Sequence, residues 1–109
     1  MSVLASTAKQ ADGTENISAA VAAAKAADLT IVVGGTTAGE SVDRPDLSLD
    51  GGVDALVSAV AAAVGKARTV VLAQAPGAFL TPWRNDVGAI AALFLGGQET
   101  VRAHAPATA

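Results

Sequence analysis

Three short apolar runs, each followed closely by glycine or proline, limit what this chain can fold into more than any other feature. Residues 29–33 end in Gly34-Gly35, residues 69–73 lead to Pro76-Gly77, and residues 89–95 run into Gly96-Gly97. Each is too short for a helix and lacks the polar alternation of a strand with one wet face. Each therefore reads as a strand buried on both sides, as in parallel sheets. Parallel strands need crossovers, and the sequence between the runs supplies them. Residues 17–27 place Ile17, Val21 and Ala24 on one face of an alanine-rich helix, with Asn16 or Thr14 as its cap. Val53, Leu56, Val57, Val60 and Val64 repeat at helical spacing, with Asp50 or Gly51 as the expected cap and Gly65 as the stop. Before the third run, Thr81-Pro82-Trp83-Arg84-Asn85-Asp86 predicts a short capped turn of helix. Helices and strands alternating in this order, joined by right-handed crossovers, predict an α/β fold: a three-layer sandwich around a small, mostly parallel sheet.

A length of 109 residues suits one domain, expected here to span residues 1–109. Hydrophobic residues make up 51% and charged residues 16%, which excludes intrinsic disorder. Much of the apolar content is alanine and aromatics are 3%, so the core should be thin. With no cysteine there is no disulfide, thiolate nucleophile or cysteine-ligated metal, and the redox compartment stays undecided. The net charge is −3 and the seven basic residues are scattered, so no stripe exists to neutralise a nucleic-acid backbone. No apolar run approaches the roughly 20 residues that span a bilayer, and the N-terminus lacks the pattern of a signal peptide. The single histidine, His104, has no second ligand arranged with it, so neither a metal nor a cofactor is expected. A three-strand sheet leaves two open edges, and the stretch from Thr100 to Pro106 stops the alternation. These features predict either self-association or a missing remainder of the domain.

Ligands of open α/β sheets bind beyond the carboxyl ends of the strands. Here those ends lead into residues 34–50, 75–86 and 96–99. The first segment is polar, about 16 residues long from Gly35 to Asp50, and carries Glu40, Asp43, Asp46 and Asp50; loops of such length are usually functional or disordered. A nucleotide-binding reading of its glycines meets the wrong spacing. Gly34, Gly35 and Gly39 do not give G-x-G-x-x-G, no Walker lysine follows, and the next helix begins only after Asp50.

Taken in order, the chain offers Gly34-Gly35-Thr36 leading to Gly39-Glu40-Ser41, then Asp43-Arg44, Leu47-Ser48-Leu49, the valine-rich helix, Pro82-Trp83 and Gly96-Gly97-Gln98-Glu99. In this order and spacing it resembles the C-terminal α/β sandwich domain of glycoside hydrolase family 3, the β-glucosidase and β-xylosidase family. The resemblance covers roughly residues 17–99 and implies an incomplete version of that domain. It further implies an active site divided between two domains, in which a preceding (β/α)8 barrel supplies an aspartate nucleophile and the sandwich domain an acid/base glutamate. Glu40 falls at that glutamate's position. Asp43 and Arg44 match an Asp-Arg pair that looks like a loop-shaping element and are, with Trp83, the candidate substrate-binding residues. Trp83 would either pack in the core or stack on a sugar.

The resemblance implies part of a β-glycosidase acting on β-glucosides, with the barrel of the same enzyme or a second copy as partner. None of the acids here resembles the nucleophile's motif, so the isolated chain is expected to be inactive. The segment after Glu99 is short and polar where the family continues into an alanine-rich helix and further strands, which points to a fragment. Two alternatives stand beside this reading: a non-catalytic, self-associating or carbohydrate-binding module, and a nucleotide-binding α/β domain.

Overall fold

The computed structural model describes residues 2–5 and 17–99. The expected caps Asn16 and Thr14, together with His104 and Pro106, lie outside the described residues. Six principal elements follow one another: β1 (Ser2–Ala5), α1 (Ile17–Lys25), β2 (Thr30–Gly35), α2 (Val53–Val64), β3 (Thr69–Gln74) and β4 (Ala89–Leu93). The strands form one sheet in the order β1-β2-β3-β4, and every neighbouring pair is parallel. All three expected strands are present. A fourth, β1, joins at the edge, too short at four residues to stand out by pattern.

Moving steadily across the sheet with crossovers of one hand places both helices on the same face. Accordingly α1 and α2 touch each other. Beneath them Thr30, Val32 and Gly34 of β2 and Thr69, Val71 and Ala73 of β3 are buried, while Ile31, Val33, Val70 and Leu72 on the opposite face are only half-buried. The core joins Ala24, Val32, Val53, Val57, Val60 and Val71 with Trp83 and Val87 from the β3–β4 connection. Among the described residues nothing layers over the second face. The described residues thus form an α/β fold with one helical layer packed on a parallel sheet.

The helix termini show how local chemistry sets the boundaries. Gly52, at φ 68°, is the N-cap of α2, so neither Asp50 nor Gly51 caps it; the side chain of Asp50 is engaged elsewhere. Gly65 ends the helix as expected, at φ 89°, with its N–H bonded to the Ala61 carbonyl at 2.9 Å. Arg68 reaches back to the Ala27 and Asp28 carbonyls and ties the turn before β3 to the end of α1.

The expected turn of helix over residues 81–86 is instead a run of turns. Arg84 N–H bonds the Thr81 carbonyl at 3.0 Å, and Asp86 N–H bonds the Trp83 carbonyl at 2.9 Å. Trp83 and Val87 must both reach the core, and Gly88 N–H must meet the Thr69 carbonyl at 2.8 Å, within a span too short for a helical ladder.

Candidate active site

Loop 36–50 leaves and re-enters the sheet at one point, because both its ends are held by strand termini. Thr36 N–H donates to the Gln74 carbonyl of β3 at 3.1 Å, and Asp50 N–H donates to the Gly35 carbonyl of β2 at 2.8 Å. A second clasp closes the neck: Asp50 Oδ2 accepts the Thr37 N–H at 2.7 Å and the Thr37 hydroxyl at 3.1 Å. The Thr37 amide bond lowers the Asp50 pKa below the ordinary aspartate value. Burial opposes it, while the Thr37 and Thr36 hydroxyls and the Arg44 charge add to it.

At the far end of the loop Gly39 and Val42 form an antiparallel bridge, and Ser41 takes a left-handed φ of 60°. Glu40 and Ser41 are therefore the two central residues of a tight turn, which carries Glu40 to the exposed tip.

Arg44 anchors the returning limb. Its guanidinium donates to the Ala78 carbonyl at 2.7 Å and to the Ser48 carbonyl at 3.4 Å, so it bridges loop 36–50 to the segment after β3. Leu80 N–H adds a backbone bond to the Leu47 carbonyl at 2.9 Å, and Asp46 Oδ1 accepts the Ser48 N–H at 2.8 Å. Eight hydrogen bonds, each with a named donor and acceptor, hold a loop that has no regular secondary structure of its own beyond one bridge.

Two open clefts flank the loop. One, about 550 Å³, lies at the carboxyl ends of β2 and β3, between Gly35, Gln74, Asp50 and Leu95. The other, about 470 Å³, lies inside the loop against Gly39, Asp43, Arg44 and Asp46. They share a wall formed by residues 36–38 and Asp50. Among the described residues no group of three histidine, cysteine, aspartate or glutamate side chains is placed to hold a metal.

The structure thus carries Glu40, Asp43 and Arg44 on one loop, with Asp43 and Arg44 lining the second cleft and Glu40 exposed at the loop tip next to Gly39, outside the cleft's lining. Trp83 is not brought to them. It is 1% exposed, packed in the core, and its indole N–H is committed to Asp54 Oδ1 at 2.6 Å. Both ring faces are covered, so the packing alternative holds and sugar stacking is corrected. Gly34 likewise serves packing: a Cβ there would lie 2.8 Å from Val53 Cγ1, so the glycine lets β2 approach the start of α2. Sequence reasoning missed the clasp between Asp50 and Thr37. The preference of aspartate for helix caps gave Asp50 a simpler explanation, and no local spacing links residues 13 positions apart.

Residues 1–107 match the family described as the glycosyl hydrolase family 3 C-terminal domain. The chain belongs to that family. Among relatives of this family 3 domain, a probable β-glucosidase H of Aspergillus clavatus is 38% identical over 84 residues, covering 74% of the chain and 10% of the relative. A probable β-glucosidase H of Aspergillus fumigatus is 37% identical over 92 residues, covering 82% and 11%. Among solved structures, a β-glucosidase from Streptomyces venezuelae in complex with D-glucose superimposes with a TM-score of 0.70 at 36% identity, over 75% of this chain and 10% of that one. The β-D-glucoside glucohydrolase of Trichoderma reesei gives 0.71 at 28% identity, over 81% and 14%. The family 3 domain described here spans about a tenth of the length of the relatives it matches.

Proposed function

We propose that this chain is the acid-supplying part of a β-glucosidase, with Glu40 as the general acid/base. The observation that carries the reading is the placement of Glu40. It stands exposed on a two-residue turn at the tip of a loop that leaves the carboxyl end of a parallel sheet, with the Asp50–Thr37 clasp and the Arg44 bridge fixing the loop beneath it. Kinship with β-glucosidases supplies the substrate class.

Retaining glycoside hydrolysis needs two carboxyl groups about 5–5.5 Å apart, one attacking the anomeric carbon and one protonating the leaving oxygen. A single loop glutamate satisfies the second requirement. The nucleophile belongs to a different segment, the barrel that the family resemblance implies. Glu40 then hands its proton to the departing oxygen, takes one back from the attacking water in the second step, and releases glucose with its configuration retained. Arg44, by bonding backbone carbonyls on two segments, holds the loop that carries Glu40.

The test joins the chain to a family 3 barrel carrying the aspartate nucleophile. With a β-glucoside whose leaving group needs protonation, Glu40→Gln should lower the rate by about 10²–10⁴. With 2,4-dinitrophenyl β-glucoside, whose leaving group departs unprotonated, the glycosylation step should be nearly unchanged. Equal effects on both substrates, or none on either, would remove Glu40 from the acid role. The isolated chain should hydrolyse neither substrate.

A further inference from the structure

We infer that Asp50 is a positioning residue for Glu40, holding the limb of the loop that carries the acid toward its tip. This role rests on the reading of Glu40 as the general acid/base. The two limbs of loop 36–50 are held unequally. The returning limb is secured along its length: Arg44 bonds the Ala78 and Ser48 carbonyls, Asp46 accepts the Ser48 N–H, and the Leu80 N–H bonds the Leu47 carbonyl. The outgoing limb has far less. Beyond Thr36, its hydrogen bonds to other parts of the chain, among the described residues, are the two from Thr37 to Asp50 Oδ2 and the Gly39–Val42 bridge. That bridge joins the two sides of the tip, so it shapes the turn without tying it to the sheet. Without the clasp the loop is anchored on one limb and can swing about it; with both limbs anchored the tip is fixed.

The chemistry of the clasp suits this task. An ionised carboxylate accepts without donating, and one oxygen here takes both the N–H and the hydroxyl of the same residue, at 2.7 and 3.1 Å. Bonds to an ionised group are about twice as strong as neutral ones. Asp50 is itself fixed: its N–H is bonded to the Gly35 carbonyl of β2 at 2.8 Å, and Gly51 and Gly52, both at left-handed φ, lead directly into α2. Glu40 lies three residues beyond Thr37, an arm of at most about 10–11 Å. Gly39, within that arm, has open space around it and no side chain to brace it. Proton delivery requires the acid within about 2.6–3.2 Å of the departing oxygen. A misplacement of about 1 Å costs up to about 10²-fold in rate, so the swing that the clasp suppresses matters to the reaction.

The test again joins the chain to a family 3 barrel. Asp50 and Thr37 are both exposed, so replacing either opens no cavity in the core. With a β-glucoside whose leaving group needs protonation, Asp50→Ala should lower the rate by about 10- to 10²-fold. With 2,4-dinitrophenyl β-glucoside the glycosylation step should be nearly unchanged. Asp50→Asn, which keeps an oxygen to accept the Thr37 N–H, should recover most of the loss. Thr37→Val removes the hydroxyl bond and leaves the amide bond, so it should show the same selective loss at smaller size; it decides the matter if Asp50→Ala does not fold. In a Glu40→Gln background, Asp50→Ala should cost nothing further with the first substrate. Equal losses on both substrates, or no recovery in Asp50→Asn, would show that Asp50 serves folding and not the acid, and would overturn the inference while Glu40 keeps its role. An unchanged rate in Asp50→Ala beside a selective loss in Glu40→Gln would do the same. If Glu40→Gln itself shows no selective loss, the acid/base reading fails and the positioning role falls with it.

Discussion

Trp83 Nε1–H donates to Asp54 Oδ1 at 2.6 Å, so the one tryptophan of the chain pins the β3–β4 connection to the first turn of α2. The ring fills a core otherwise built of valine, alanine and two leucines, and the bond satisfies a donor that would be costly to bury alone. Asp54→Ala should therefore destabilise by about 1.5–3 kcal/mol, the range for a hydrogen bond to a charged group. Trp83→Ala should cost about 3–5 kcal/mol, because a large cavity joins the lost bond. Urea unfolding of both single variants and the double variant measures the pair. A coupling energy near zero would show that the bond contributes nothing beyond packing.

Asp50 and Thr37 make the loop neck sensitive to acid. The Asp50 carboxyl is held below its ordinary pKa, first by the Thr37 N–H. A carboxyl with a lower pKa folded than unfolded stabilises the fold above its unfolded value, about 3.9. That contribution is lost as pH falls through the folded pKa. Carbon-detected titration should place Asp50 below the ordinary aspartate value. Asp50→Asn should flatten the stability profile below pH about 4 while leaving its shape above pH about 5 unchanged. A wild-type profile already flat through this window would show that the clasp holds no ionised carboxylate.

The sheet and the second helix were legible because valine and leucine repeat there with a clear period, and glycine marks their ends, as at Gly65. The site was legible only as a loop bearing Glu40, Asp43 and Arg44. What holds that loop was not readable: the Asp50–Thr37 clasp spans 13 positions and the Arg44–Ala78 bond spans 34. Such contacts exist only once β2 and β3 lie side by side, and no short-range pattern encodes them. The turns over residues 81–86 were misread for a related reason, since Pro82 signals a helix start while the burial of Trp83 dictates otherwise.

Glycines should divide by what lies around them. A Cβ at Gly88 would stand 2.7 Å from the Lys66 carbonyl oxygen, and one at Gly34 would stand 2.8 Å from the fully buried Val53. Gly39 faces open space. Thermal melts should show Gly88→Ala and Gly34→Ala losing about 1–3 kcal/mol as overpacked sites, with Gly88→Ala the worse because backbone cannot rotate away. Gly39→Ala should stay within about 0.5 kcal/mol of wild type. Similar losses at all three positions would mean that close approach does not set the cost, since the backbone entropy of a Gly→Ala change favours the folded state.

Thr30 and Thr69 sit opposite each other in the β2–β3 register and are both buried, yet their hydroxyls fare differently. Thr69 Oγ1 donates to the Gly65 carbonyl at 3.0 Å, whereas Thr30 Oγ1 has no hydrogen-bond partner among the described residues. An unmade bond at a buried hydroxyl costs about 1–3 kcal/mol, and a valine of nearly the same shape removes that cost. Thr30→Val should therefore stabilise by about 1 kcal/mol, and Thr69→Val should destabilise by a similar amount through the lost bond to the turn that ends α2. Denaturant midpoints at constant slope read both shifts. If both variants move the same way, burial alone governs this row of the core and the difference between the two hydroxyls carries no energy.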